Sequence, residues 1–144
     1  VKHLDVRMNR LRRWHGDSLL CIGDAAHAMS PAGGVGINMA VQDGVAAARL
    51  LAEPLRRGAV TDRALAAVRR RRVVPTVATQ AFQRQFDKRL LGPIVRGRDA
   101  SGPPAALIRL VELMPWLSLA PAYLVGVGVL PEHAPTFARR PTPG

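Results

Sequence analysis

The chain has 144 residues, of which 48% are hydrophobic and 22% charged, a composition that excludes intrinsic disorder and allows one small domain with a core. Its single cysteine, Cys21, excludes an internal disulfide. The net charge of +11 raises the question of nucleic acid, but only 4% of residues are aromatic and no zinc-finger, helix-turn-helix or RNP-like motif occurs. We therefore expect a solvated arginine-rich face, no nucleic-acid partner and no metal site. The first residues lack the apolar segment of a signal peptide, so we expect a cytoplasmic protein.

Two strands are predicted before the first helix. Alternating apolar and polar residues at 4–9 predict a strand with one buried face. A turn is expected at 15–17, where the sequence reads His-Gly-Asp. The apolar run 19–22 predicts a strand buried on both faces, in which Cys21 is a buried and unreactive thiol.

A glycine-rich segment follows the second strand. Gly23-Asp24 ends that strand, Ser30-Pro31 follows, and glycines occupy positions 33, 34 and 36. These glycines let a ligand approach the main chain, and the helix start beyond them offers free N–H groups and the positive end of the helix dipole. The segment predicts a site for an anion or an electron-rich ring edge. It lacks the lysine of a P-loop and the third glycine of the Gly-x-Gly-x-x-Gly fingerprint.

Two long helices are predicted next. The first, from about Ile37 to Leu51, is expected to pack through a face of small and apolar residues, namely Ile37, Ala40, Val41, Gly44, Val45, Ala48, Leu51 and Ala52. The second begins at an N-cap, Thr61, and places the arginine run 69–72 on faces other than its apolar one. Pro75 is expected to kink or split this helix.

The last third of the chain contains an apolar and uncharged segment at 115–131. Pro121 and two glycines interrupt it, so packing on the rest of the domain is favoured over a membrane span. A peripheral membrane contact or a substrate-facing helix is the weaker alternative. The proline-rich stretch 132–144 predicts a flexible tail.

The glycine-rich segment also carries a recognisable motif. Gly-Asp-Ala-Ala-His at 23–27, Pro31, Gly-Gly-x-Gly-x-Asn at 33–38 and Gln-Asp-Gly at 42–44 together resemble the second FAD-binding motif of the class A flavoprotein monooxygenases, the para-hydroxybenzoate hydroxylase-like family. The match covers about a sixth of the chain, Leu19 to Gly44, and is specific because many positions match in order.

The resemblance implies an α/β FAD/NAD(P)-binding flavoprotein fold, of which this chain is the C-terminal, mostly helical portion with two or three strands. It divides the chain into three parts. Residues 1–58 would hold the closing strands, the second FAD motif and its helix. Residues 59–131 would form a helical region, and 132–144 the tail.

The resemblance also implies contacts with FAD. Asp24 would hold a ribityl hydroxyl, the main-chain N–H groups of Ile37 and Asn38 would face the pyrimidine edge, and Pro31 would line the junction of flavin and substrate. The implied cofactor-binding residues are Gly23, Asp24, Pro31, Gly33, Gly34, Gly36, Ile37 and Asn38. A turn or helix cap is the alternative for Asp24 and for Asn38.

No catalytic residue is implied with certainty. No carboxylate or serine lies at triad spacing from His27, so we expect this histidine to orient its loop through hydrogen bonds. Gln42 and Asp43 are expected to be structural partners rather than flavin contacts.

The implied activity is NAD(P)H-dependent monooxygenation. NADPH or NADH would reduce the flavin, O2 would form a C4a-hydroperoxide, and one oxygen atom would pass to a small aromatic-type substrate. A related halogenase, dehydrogenase or reductase is the alternative, and a non-catalytic basic binding module is the alternative of another class. The family's first motif, which holds the ADP half of FAD, is not among these residues, so we expect a fragment or truncated product that alone binds FAD weakly or not at all.

Overall fold

The computed structural model describes residues 8–31, 34–91, 109, 112–114 and 119–138. Two short strands, β1 (His15–Gly16) and β2 (Leu19–Leu20), precede a 3-10 turn at Gly23–Ala25. Helices α1 (Val35–Arg56) and α2 (Asp62–Phe86) follow, and a π-helical turn, Asp87–Leu91, extends α2. Helix α3 (Leu119–Gly126) and a 3-10 turn at Thr136–Ala138 come last. The described chain is thus mostly helical with one two-stranded sheet, as expected for part of a flavoprotein domain.

The strands form an antiparallel hairpin, with His15 opposite Leu20 and Gly16 opposite Leu19. The turn lies at Asp17 and Ser18, whose φ angles of 48° and 65° match the two-residue turns that follow the twist of a hairpin. The turn predicted at 15–17 is therefore displaced, since His15 and Gly16 belong to β1. Most of the strand predicted at 4–9 falls outside the described residues.

The predicted strand 19–22 is shorter and less buried than expected. Only Leu19 and Leu20 are in β2, Leu19 is exposed, and Cys21 is half-buried. The backbone N–H of Cys21 still donates to the Trp14 carbonyl at 2.7 Å, which continues the pairing by one residue. Leu20 and Ile22 are only partly buried where they pack against the cluster of Leu51, Leu65 and Val68.

Helix α1 is longer than predicted and packs through a face that only partly matches the predicted one. Its buried residues are Val35, Met39, Asp43, Ala46 and Leu51. Ile37 and Val41, predicted to pack, are 74% and 60% exposed. The predicted face is therefore right at Leu51 and wrong at Ile37 and Val41, because the helix turns the carboxylate of Asp43 inward to buried cationic and N–H partners.

Helix α2 begins as predicted and remains continuous. The Thr61 hydroxyl oxygen accepts a hydrogen bond from the Ala64 N–H at 3.3 Å, which is an N-cap contact. The helix is not split at Pro75, which is buried within it. One turn earlier, the arginine run 69–72 does not lie wholly on solvated faces, because Arg72 is fully buried.

The apolar core between the helices is small. Leu51 of α1 meets Leu65 and Val68 of α2, and Met29 packs with Val35 and Met39 near the start of α1. Beyond Val68 the buried residues of α2 are mostly polar, namely Arg72, Thr76, Thr79, Gln80 and Gln83. Buried polar side chains need hydrogen-bond partners, and the partners of Arg72 are described with the candidate site below.

The C-terminal segment packs against both long helices. Gln42 of α1 donates from its side-chain amide to the Val127 carbonyl at 2.8 Å. The carboxylate of Glu132 is buried. Its Oε1 lies 2.6 Å from the Arg71 Nε, and its Oε2 lies 3.1 Å from the Arg49 Nη2. Glu132, the first residue of the predicted tail, is therefore held by contacts with both helices. Among the residues described, no helix is both long and apolar enough to cross a membrane.

Candidate functional site

A cavity of about 460 Å³ opens where the glycine-rich segment meets α1. Its walls are mainly apolar and carry one carboxylate, Asp24, and one hydroxyl side chain, Ser30. The lining residues are Asp24, Met29, Ser30, Pro31, Gly34, Gly36, Ile37, Ala40 and Val41. The exposed face of α1, including Ile37 and Val41, is therefore a wall of the cavity and not a packing surface.

Most of the predicted cofactor residues meet at this cavity. Five of them line it, namely Asp24, Pro31, Gly34, Gly36 and Ile37. Gly23 is buried directly before Asp24. Asn38 is exposed and does not line the cavity, and its side-chain amide donates to the Gly126 carbonyl at 3.4 Å. Gly33 lies outside the described residues.

The Asp24 carboxylate is exposed and close to the start of α1. A Cβ atom added at Gly36 would lie 3.9 Å from the Oδ1 of Asp24 and 3.4 Å from the Cβ of Met29. Glycine at 36 therefore keeps the space between the carboxylate and the helix open. A carboxylate in this position can accept hydrogen bonds from the hydroxyl groups of a ligand.

The N-terminus of α1 faces the same cavity. Its N-cap is Gly34, which has a φ of 64° and makes no side-chain capping bond. The first turn of α1 contains no acidic residue. The first N–H groups of a helix have no partner within the helix, so this end provides hydrogen-bond donors and partial positive charge.

Below the cavity, Asp43 is fully buried and accepts three hydrogen bonds. Its Oδ2 atom lies 3.0 Å from the Gly23 N and 2.6 Å from the His27 Nε2, and its Oδ1 lies 2.9 Å from the Arg72 Nε. Burial alone would raise the pKa of Asp43, but the bonds from His27, Arg72 and Gly23 outweigh it and hold that pKa below its usual value. Asp43 is therefore an ionised carboxylate that joins the glycine turn to both long helices.

A second buried carboxylate lies beyond Arg72. Glu132 Oε1 is 3.9 Å from the Arg72 Nη1 and 2.6 Å from the Arg71 Nε. The guanidinium of Arg72 therefore lies between the carboxylates of Asp43 and Glu132. This arrangement compensates the buried charge of Arg72 and attaches the C-terminal segment to the helices.

The structure agrees with a structural role for His27. It also identifies a carboxylate partner, Asp43, which the search for triad spacing in the sequence did not find. His27 is fully buried, its ring packs 5.1 Å from that of Trp14, and its Nε2 meets Asp43 sixteen residues along the chain. The sequence does contain a signal for this buried carboxylate. Asp43 follows Met39 by one helical turn and Val35 by two, so it lies on the same apolar face of the helix. A carboxylate on an apolar face requires a buried donor or cation.

Comparison with known proteins shows the family to which the chain belongs. Residues 1–82 match the model of a family described as an FAD binding domain. The chain belongs to this FAD binding domain family. FAD is therefore the expected cofactor, and the exposed carboxylate and the helix N-terminus at the cavity suit a ligand with hydroxyl groups and an electron-rich ring edge.

Two named relatives extend the comparison. The chain is 41% identical to a 6-methylpretetramide 4-monooxygenase of Streptomyces rimosus over 123 residues, which are 85% of this chain and 27% of that protein. It is 37% identical over 51 residues to FAD-dependent monooxygenase ltmM of Epichloe festucae, covering 35% of this chain and 11% of that protein. The chain thus spans about a quarter or less of the length of these relatives. No solved structure matches the chain significantly.

Proposed function

We propose that this chain is the part of an FAD-dependent monooxygenase that holds the ribityl chain and the pyrimidine side of the flavin. The observation that carries the proposal is that the Asp24 carboxylate and the N-terminus of α1 line one cavity. Membership of the FAD binding domain family and the names of the two relatives support it.

The residues have distinct roles in this proposal. Asp24 accepts a hydrogen bond from a ribityl hydroxyl, and the main-chain N–H groups of Ile37 and Asn38 face the pyrimidine edge. Gly23, Gly33, Gly34 and Gly36 let the cofactor approach the backbone, and Pro31 lines the substrate side. The positive end of α1 stabilises negative charge on the pyrimidine side of the reduced cofactor.

The proposed reaction transfers one atom of O2 to a small organic, aromatic-type substrate, with NADPH or NADH as the reductant. When bound, the flavin supplies the redox chemistry, and the protein contributes binding, orientation and local charge. The apolar cavity walls at Met29, Ile37 and Val41 favour an apolar ring beside the cofactor. We further propose that the protein acts in the cytoplasm.

The test uses the full-length natural protein that contains these residues. We expect flavin absorption bands in the purified protein and NADPH or NADH oxidation in air that a suitable aromatic compound stimulates, with appearance of a hydroxylated product. Bound flavin without such stimulation would favour a related halogenase, dehydrogenase or reductase. A protein that neither retains nor binds added FAD would refute the proposal.

A further inference from the structure

Among the described residues, none makes a hydrogen bond or an ion pair with the Asp24 side chain. It is exposed at the cavity, on the 3-10 turn Gly23–Ala25. The backbone on which Asp24 sits therefore sets where its side chain starts and whether the carboxylate can reach the cavity. The contacts that hold the backbone of this turn therefore also determine where Asp24 lies at the cavity.

The backbone of Gly23 is held on both sides. Its carbonyl accepts hydrogen bonds from the N–H groups of Ala26 and His27, both at 2.9 Å, and its own N–H donates to Asp43 Oδ2 at 3.0 Å. Gly23 has a φ of 57°, and an added Cβ would lie 2.9 Å from the Cβ of Ala40. The turn therefore rests directly on α1, and Asp43 is the side chain that accepts its first N–H.

Asp43 is itself held by N–H donors of two side chains, which come from different parts of the fold. Arg72 reaches Oδ1 from α2, and His27 reaches Oδ2 from the loop after the turn. Asp43, His27 and Arg72 are all fully buried, so solvent does not compete for these bonds. The position of Asp43, and through it of Gly23, is therefore set by the packing of α1 against α2.

We propose that Asp43 is a positioning residue for flavin binding: it fixes the Gly23–Asp24 turn so that the Asp24 carboxylate faces the cavity. This inference rests on the proposed function, because it assigns to Asp43 a role in the affinity for FAD. Asp43 does not itself line the cavity. Its effect reaches the ligand only through the backbone of Gly23.

The chain offers a matched control in Glu132. Its carboxylate is also fully buried. The Glu132 Oε1 lies 3.9 Å from the Nη1 of Arg72, whose guanidinium also binds Asp43. Its described partners are Arg49, Arg71 and Arg72, none of which belongs to the turn. Loss of either carboxylate removes one buried negative charge beside Arg72, but only Asp43 touches Gly23.

The experiment compares wild type, Asp43→Asn and Glu132→Gln in the full-length protein. The first readout, without added FAD, is amide hydrogen exchange in peptides covering 23–27. Relative to peptides covering 62–68, whose exchange reports any loss of global stability, we expect Asp43→Asn to raise exchange at 23–27 by about tenfold or more and Glu132→Gln to leave it near wild type. The second readout is the Kd for FAD, which we expect Asp43→Asn to raise by about tenfold or more and Glu132→Gln to leave within about twofold.

If Asp43→Asn does not fold, the double substitution Asp43→Leu with Arg72→Met removes both buried charges together and carries the same expectation. Wild-type exchange at 23–27 in the Asp43 variants would overturn the inference. So would an equal loss of FAD affinity in Glu132→Gln and Asp43→Asn, since the effect would then come from lost stability alone. Failure of the wild-type protein to bind FAD would instead overturn the proposed function and, with it, the role of Asp43 in flavin binding.

Discussion

The Nε2 atom of His27 and the Oδ2 atom of Asp43 lie 2.6 Å apart, and both side chains are fully buried. This contact joins the loop after the glycine turn to the middle of α1. The same carboxylate binds Arg72 of α2, so three segments of the chain meet at one charged group. The stability of the fold and the shape of the site therefore depend on the ionisation of Asp43.

Acid should weaken the protein through Asp43. Its folded-state pKa lies below the usual value, so its contribution is fully present above the unfolded-state pKa of about 3.9 and is lost as the pH falls through the folded-state pKa. We expect the difference in unfolding free energy between wild type and Asp43→Asn, about 3 kcal/mol at pH 7, to shrink below about pH 4. Urea unfolding of both proteins at pH 7 and at lower pH measures this difference, and a constant difference would contradict the prediction.

Replacing Asp24 should affect flavin binding and not folding. The side chain is exposed at the cavity, so Asp24→Asn should change the unfolding free energy by less than about 0.5 kcal/mol. Loss of a charged acceptor for a ribityl hydroxyl should raise the Kd for FAD by about tenfold. Fluorescence titration with FAD measures the affinity, and Asp17→Asn, at an exposed hairpin position away from the cavity, is the control. Equal affinities for Asp24→Asn and wild type would count against the proposed contact.

Two glycine substitutions should act in opposite directions. Gly23→Ala forces a Cβ to 2.9 Å from the Cβ of Ala40 at a φ of 57°, so we expect a loss of about 2 kcal/mol. Gly44 lies inside α1, and a Cβ there would meet nothing within 4 Å. Gly44→Ala should therefore stabilise the protein by about 0.5–1 kcal/mol. Thermal unfolding of both variants tests the pair, and a stabilising Gly23→Ala would show that the turn does not press on α1.

Glu132 and Glu53, which both have arginine partners in the described part of the chain, should differ in their contribution to stability. The Glu132 carboxylate is buried between Arg49 and Arg71, so Glu132→Gln should cost about 2 kcal/mol. Glu53 pairs with Arg57 at 2.6 Å on an exposed surface, so Glu53→Gln should cost less than about 1 kcal/mol. Chemical denaturation gives both values. Similar costs for the two substitutions would mean that burial of Glu132 adds nothing to its pairing.

The sequence motif and the family it resembles were enough to predict residues that the fold brings to one cavity. The order of Gly-Asp, proline, glycines and the helix start is local, and local order decides which backbone groups are free at a helix N-terminus. Five of the predicted cofactor residues line one cavity as a result. The N-cap at Thr61 is local in the same sense, and it was predicted correctly.

Only the tertiary structure decided which face of α1 is buried and which charges are internal. From helical spacing, the small and apolar residues of α1 are predicted to form an inner face and the arginines of α2 to lie outside the apolar one. The fold departs from both predictions at particular residues, since Ile37 and Val41 border the cavity while Asp43 and Arg72 are buried. A buried ion pair is stable only when both partners and their further donors are in place, and those partners come from segments 16 and 29 residues distant along the chain.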